Sequence, residues 1–296
     1  MNGILNVLKP PGKTSFQIVS LIRKLSGERR VGHAGTLDPQ ASGVLLLCLG
    51  QATKVVQFLS EATKVYHAEI ELGIITDTWD SSGRVIQREE PSSVSKAQLE
   101  KVLPSLLGTI EQTPPMYSAI RYKGRRLYEL ARQGIEVERK RREVHLFRLE
   151  LLEWQPPLFT IEVECSGGTY IRSLAYDIGQ SLGCGACLKE LVRLKCGSFS
   201  LEEAIDPSSI EEAFHYGYWQ SLLYPVDEAL LNWDALILGR EKEETIKKGL
   251  PVPLVSQEGC PDRCRAYSLE GRFLAILRSS REKIIWHPDK VFLSTS

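Results

Sequence analysis

The stretch Gly32-His33-Ala34-Gly35-Thr36-Leu37-Asp38-Pro39-Gln40-Ala41-Ser42-Gly43-Val44-Leu45 decides how this chain reads. Asp38 is the first aspartate of the sequence. It lies among small, loop-forming residues that run straight into an apolar strand, Val44 to Leu49. Gly32, Gly35 and Gly43 predict tight turns and a close backbone approach to a ligand. Pro39 fixes the bend just after the carboxylate. A single acid held on a tight loop can present a nucleophile or a base to a substrate. The same residues suit a structural turn in which Asp38 caps its own backbone. Chemistry alone leaves both readings open.

Three further stretches narrow the choice. Lys9-Pro10-Pro11-Gly12-Lys13-Thr14-Ser15 precedes the Asp38 loop, and Lys64-Val65-Tyr66 follows it. Gly168-Thr169-Tyr170-Ile171-Arg172-Ser173-Leu174-Ala175-Tyr176-Asp177-Ile178-Gly179 lies further on. In this order the four stretches resemble the motifs of the pseudouridine synthases, specifically the bacterial tRNA pseudouridine synthase B family. They cover residues 1 to 200. The resemblance implies an α+β chain with a pseudouridine-synthase fold, a mixed, mainly antiparallel sheet flanked by helices. A small C-terminal PUA-like β-barrel domain is implied after it.

The implied reaction isomerises uridine to pseudouridine in the T loop of tRNA, at position 55 of the TΨC arm. The N1–C1′ bond breaks, the base turns, and C5 joins C1′. The product is an isomer, so no cofactor is expected. By resemblance Asp38 is the catalytic nucleophile or acid–base group, and Arg172 is the arginine that pairs with it. Tyr66 is implied to stack on the target base, Tyr170 and Leu191 to line the uracil pocket, and His33 to hold the opened RNA loop. Read without the resemblance, Tyr66 and Leu191 are core residues and His33 is incidental. Arg172 falls in a first helical turn, the unfavourable end of the helix dipole for a cation, which points to an anionic partner. The chain departs from the family at Cys187, where a histidine is usual, and at Val192, often an arginine. Arg193 keeps the second basic position.

Composition sets bounds on partners and class. Hydrophobic content of 43% and 25% charged residues are ordinary for a globular protein. A length of 296 residues suits one large and one small unit, read as 1–229 and 230–296. No apolar run reaches the ~18 residues of a membrane span. The N-terminus lacks a signal-peptide pattern, so a cytoplasmic protein without a membrane partner is expected. Net charge is zero, but it is unevenly spread. Residues 1–64 hold eight Lys/Arg against three Asp/Glu; residues 121–142 hold nine against three. Residues 201–245 hold two basic and eleven acidic residues. The two basic blocks predict a phosphate-tracking surface. Its candidates are Lys13, Arg23, Arg29 and Arg30, then Arg121, Lys123, Arg125, Arg126, Arg139, Lys140, Arg141 and Arg142.

Two other chemistries are set aside. Gly12-Lys13-Thr14 looks like the end of a P-loop, but the motif's first glycine would fall at Val7. The seven cysteines include Cys184-x2-Cys187 and Cys260-x3-Cys264, pairs spaced as in zinc sites. They lie far apart in what read as different domains, so no metal is expected. Two rivals to the main reading remain. One is the guide-dependent branch of the same superfamily, or a ribosomal RNA synthase. The short segment before Lys9 and a basic insertion over 113–142 favour a stand-alone monomer without an obligatory protein partner. The other rival is a non-catalytic RNA-binding chaperone, against which the set Asp38, Tyr66 and Arg172 argues.

Periodicity gives the organisation. A strand is expected over 2–8, then a helix from Thr14 or Ser15 to Ser26. Residues 64–75 alternate as a half-buried strand, with Tyr66, Ala68, Ile70 and Leu72 on one face. Asp80-Ser81-Ser82-Gly83 reads as a turn, and Ser95 to Leu107 as a helix. The insertion carries a short helix near Leu127–Arg132, stopped by Gly134. Strands follow at 143–152 and 158–165, and Gly167-Gly168-Thr169 opens a helix to Leu182. Short runs around Gly249–Pro253, Glu258-Gly259, Glu270-Gly271 and Phe273–Leu277 suggest a small barrel.

Overall fold

The computed structural model describes residues 2–253, 261–280 and 285–292; Cys260 and the Glu258-Gly259 turn lie outside them. Strand β1 (Gly3–Lys9) is almost wholly buried. Helix α1 (Ser15–Ser26) begins at Thr14, whose side chain accepts from Gln17 N while Gln17 reaches back to Thr14 N. That reciprocal cap and the left-handed Gly27 at the far end fix its bounds. Strands β2 (Val31–Ala34) and β3 (Ser42–Leu49) pair antiparallel and flank the Asp38 loop. After the short helix α2 (Val56–Glu61), β4 (Lys64–Leu72) shows strict alternation of buried and half-buried residues. It stops three residues before the expected end, because Gly73 takes a left-handed conformation. Residues Ile74–Thr76 (β5) instead turn off into a hairpin with Val85–Arg88 (β6).

Helix α3 (Lys96–Ser105) starts from a capping box at Ser95 and buries Leu99 and Leu103. Strand β7 (Gly108–Gln112) leads into the insertion. There the hairpin β8 (Arg121–Tyr122) and β9 (Arg125–Arg126) and helix α4 (Leu127–Ala131) enclose a small cluster of Met116, Leu127 and Leu130. The long hairpin β10 (Arg142–Gln155) and β11 (Leu158–Cys165) follows, then helix α5 (Ile171–Leu182), ended by left-handed Gly183. Strands β12 (Ala186–Cys196) and β13 (Phe199–Ser200) precede helix α6 (Pro207–Tyr216).

The main sheet runs β1-β3-β12-β4-β11-β10-β7, with β2 on β3 and β13 on β12. All its pairings are antiparallel except β12 on β3, so the sheet is mixed and mainly antiparallel as expected. One layer of core lies under α1, α3 and α5, around Leu45, Ala68, Ile70, Phe159, Ile161 and Leu174. The C-terminal part holds β14 (Ala235–Leu238), α7 (Arg240–Lys247), β15 (Val252–Pro253), β16 (Arg263–Ser268), β17 (Phe273–Ser280) and β18 (Ile285–Val291). Its five strands form a second sheet, ordered β14-β16-β17-β18-β15. Ile276 and Phe292 of that sheet enter a core shared with Ile4, Val44, Phe58 and Leu230 of the body. Lys54 Nζ donates to Val291 O at 2.6 Å across the same junction. Among the described residues no helix is long and apolar enough to cross a membrane.

Candidate active site

Strand β12 sits between β3, which leaves the Asp38 loop, and β4, which carries Tyr66. Val192 and Arg193 pair in parallel with Ser42 and Gly43 on one side, and Arg193 faces Tyr66 on the other. Register shifts between Leu188 and Glu190 and between Arg193 and Lys195 bracket this segment. Bulges of this kind bend a strand and re-aim its side chains. Gly43 lies so close to β12 that a Cβ there would fall 2.3 Å from Arg193 O, at a φ of +103° that disfavours any side chain. Gly32, in contrast, is in an extended strand with ordinary space around it, so its expected turn role is absent.

The N-terminal motif is the scaffold of the Asp38 loop. Lys9 is fully buried. Its ammonium donates to Pro10 O at 2.9 Å, Pro39 O at 3.0 Å and Ala41 O at 2.5 Å. Gly12 N donates to Pro39 O at 2.8 Å. Ser15 Oγ donates to Leu37 O at 3.1 Å and accepts from Leu37 N at 3.0 Å. Both sides of Asp38 are therefore pinned. Burial pulls the Lys9 ammonium down to about 8, with Asp38 opposing and Arg193 assisting. A lysine whose folded pKa lies below its unfolded value adds stability above the unfolded value, and that contribution is lost as pH falls through about 8. At neutral pH the charged clamp thus positions the loop more than it stabilises the fold. Lys9→Met is expected to lower the turnover rate by about tenfold through a loosened loop, while binding of RNA is kept. Single-turnover rates and filter binding check this, and an unchanged rate would refute the clamp.

Asp38 faces Arg172 at two points. Arg172 Nη2 donates to Asp38 Oδ1 at 2.9 Å, and Nε stands 2.8 Å from Oδ2. The guanidinium is only 4% exposed against 35% for the carboxylate, so the acid lies at the open side of the pair. Arg172 also donates to Thr78 O at 3.1 Å and Tyr117 O at 2.9 Å. A second carboxylate, Asp80, places Oδ2 at 3.7 Å from Arg172 Nε. Burial pushes the Asp38 carboxyl up; Arg172 and Lys9 pull it down and Asp80 pushes it up again, with a net upward direction. Asp38, Gln40, Ala41, Asp80, Ser81, Leu188, Lys189 and Leu191 line a small cleft above the pair. Asp80 and Lys189 are residues that sequence reasoning did not place here. The turn containing Asp80 was legible, but nothing in it signalled a charge facing Arg172.

Of the other expected site residues Leu191 lines the cleft, whereas Tyr66, His33 and Tyr170 are not part of its lining. Tyr66 is buried and lies behind the loop, opposite Arg193 in the β4–β12 pairing. Burial pushes the Tyr66 hydroxyl up to about 12, so it holds its proton. Arg193 itself is 1% exposed and donates to Val44 O at 2.6 Å and Gly35 O at 3.1 Å, fastening both ends of the loop. His33 lies in β2 with Nδ1 buried and unpaired; burial and Arg193 hold it below the ordinary imidazole value. The Tyr170 backbone is gripped by the Gln112 side chain at 3.0 and 3.1 Å. Lys64 caps the last carbonyls of α2, donating to Leu59, Ser60 and Ala62.

Most of the basic candidates are exposed, and of these Arg125, Arg126 and Arg141 also bond Gln133, Tyr128 and Glu111. The exposed set is Lys13, Arg29, Arg30, Arg121, Lys123, Arg125, Arg126, Lys140 and Arg141. Four of them sit on the β8–β9 hairpin. Arg23 is exposed too but donates to Val31 O at 2.7 Å. Arg139 and Arg142 are engaged within the chain: Arg139 lies over Trp79 and bonds Pro114 O, and Arg142 covers the Tyr170 ring at 4.2 Å and donates to Gly168 O.

Comparisons with known proteins give the family and the fold. Residues 23–171 match the model of the TruB family pseudouridylate synthase N-terminal domain. Residues 172–231 match the tRNA pseudouridylate synthase B C-terminal domain. The chain belongs to the TruB family of pseudouridylate synthases. It is therefore an enzyme of the isomerase class. A tRNA pseudouridine synthase B from Dehalococcoides mccartyi is 44% identical over 99% of this chain and 97% of its own length. One from Clostridium tetani is 42% identical over 95% and 97%. Among solved structures, a chain of a Cbf5-Nop10-Gar1 complex matches with a TM-score of 0.76 at 27% identity, covering 98% of this chain and 85% of that one. The TruB-family chain thus has the pseudouridine-synthase fold, with a PUA-like sheet at its C-terminal end.

Proposed function

We propose that this TruB-family enzyme converts the uridine at position 55 of the tRNA T loop to pseudouridine, alone, on a base flipped out of the RNA. The two-point contact of Arg172 with Asp38 beneath an open cleft carries the proposal. The guanidinium fixes the direction of the carboxylate and favours its charged form. Asp38 then either adds to C1′ or assists loss of a C2′ proton as the N1–C1′ bond breaks. The base turns and C5 bonds to C1′ as the Asp38–C1′ bond breaks or as the C2′ proton returns; C5 loses its proton and N1 gains one, so atoms balance without an external reactant. Leu191 supplies an apolar wall of the cleft, and Tyr66 takes the base-stacking role by its resemblance to the family's tyrosine motif. Flipping costs a few kcal/mol, which stacking and pocket contacts offset. The exposed cations of the β8–β9 hairpin suit phosphate contacts that position RNA without reading its sequence. Residues 230–296 act as a second RNA-binding unit in this reading.

The tRNA substrate is supported by the activity for which the bacterial relatives are named, and their identity exceeds that of the chain from the three-protein complex. Purified protein incubated with unmodified tRNA transcript, without protein partner or cofactor, is expected to give pseudouridine at position 55. A T-arm stem-loop alone is expected to react within about tenfold of whole tRNA, because folded loops are recognised by shape and splayed bases. Mapping by pseudouridine-specific chemistry checks both. An inert T arm beside a modified anticodon or ribosomal hairpin would overturn the substrate and leave the chemistry.

A further inference from the structure

Trp79 is one of two non-glycine residues described with a left-handed backbone, at φ 62°. Such a conformation is unfavourable in a residue with a Cβ. Glycine would adopt the same turn without that cost, so the indole ring must account for the tryptophan. Its neighbours show what the turn delivers. Thr78 O accepts from Arg172 Nη1 at 3.1 Å, and the Asp80 carboxylate stands 3.7 Å from Arg172 Nε. Asp80 Oδ1 is already occupied by Thr78 Oγ1 and by Ser82 N and Oγ, which leaves Oδ2 to face the arginine. Trp79 O accepts from Leu188 N at 3.0 Å, docking the turn on the cleft-lining part of β12.

The ring completes the fastening. It stacks on Tyr176 with centroids 4.4 Å apart and planes at 17°. Tyr176 follows Arg172 by four residues on α5, so both project from one helix face. Arg139 of the insertion lies 5.5 Å over the same ring and donates to Pro114 O. We infer that Trp79 is a positioning residue: its ring, seated on Tyr176, holds Thr78 and Asp80 against Arg172 and thereby sets the aim of Asp38. This rests on the proposed role of Asp38.

Four variants test it, with kcat and KM measured on tRNA transcript and folding followed by thermal melting. Trp79→Gly removes the ring and also the backbone strain. It is expected to melt near the wild-type temperature and to lose at least about tenfold in kcat, with KM within about threefold. Trp79→Phe keeps a ring to stack and is expected to hold kcat within about threefold of wild type. Tyr176→Leu is expected to reproduce the kcat loss, and the double variant Trp79→Gly/Tyr176→Leu to fall no further than the worse single one. Wild-type kcat in Trp79→Gly, a loss confined to KM, no rescue by phenylalanine, or additive losses would each overturn the inference. Should Trp79→Gly fail to fold, Tyr176→Leu decides the question by the same kcat loss or its absence. Turnover surviving in Asp38→Asn would instead overturn the nucleophile and leave the stacking results to be read on their own.

Discussion

Asp38→Asn is expected to abolish turnover, by about a thousandfold or more, with tRNA affinity held within a few-fold. The amide has nearly the shape of the carboxylate, and Arg172 keeps the Thr78 and Tyr117 carbonyls and the neighbouring Asp80. What is lost is the charge that attacks or abstracts. Single-turnover rates beside filter binding separate the two effects. Appreciable isomerisation by the amide variant would sink the assignment. The same carboxyl is expected to set the acid limb of the wild-type pH–rate profile. Its pKa lies above the ordinary aspartate value, chiefly through burial, so activity falls on acidification before exposed carboxylates titrate. The sign for stability is opposite to that of a salt-bridged surface aspartate. A carboxyl whose folded pKa is raised costs stability, and that cost builds as pH rises above the unfolded value and is complete once pH has passed the folded one.

Arg172→Ala carries the second-largest expected loss, about a hundredfold or more in the chemical step. The deleted guanidinium is almost fully buried and spans two carboxylates and two carbonyl oxygens. Its removal leaves Asp38 and Asp80 facing each other without a cation, raising the Asp38 carboxyl further and freeing its orientation. Arg172→Lys is expected to recover little, because a point charge cannot make the two-point contact of a planar fork. A wild-type single-turnover rate in either variant would remove Arg172 from the site.

Much of the frame was legible in the sequence, for identifiable reasons. Thr14 and Ser95 announced helix starts because their capping glutamines follow three residues later. The alternation from Tyr66 to Leu72 announced β4 because one face is buried and the other half-open. Strand β12 gave no such signal. Its Leu188-Lys189-Glu190-Leu191-Val192-Arg193 run is rich in helix formers, and its extended state is imposed by β3 and β4 on either side. The pairing of Asp38 with Arg172 followed from resemblance, and the poor fit of a cation in a first helical turn pointed the same way. Asp80, Lys189 and the Tyr117 carbonyl enter the site from segments whose local patterns describe only turns and loops. Likewise Arg139 and Arg142 look like solvent-facing members of a basic block, and only tertiary packing shows them seated on aromatic rings.

The seam between the two sheets has a practical consequence. Ile276 and Phe292 fill the same core as Ile4 and Phe58, Phe58 meets the Trp233 edge at 5.0 Å, and Lys54 is fastened to Val291. Cutting the chain near residue 230 would strip apolar cover from the back of the sheet that bears the Asp38 loop. Such a fragment would report on lost solubility before it reported on lost grip. If the far sheet binds RNA as proposed, the seam also makes the enzyme a ruler, because an RNA arm held there would lie at a set distance from the carboxylate. Lengthening the helix that joins an RNA's two contact points by a base pair is then a geometric challenge that side-chain rearrangement cannot absorb.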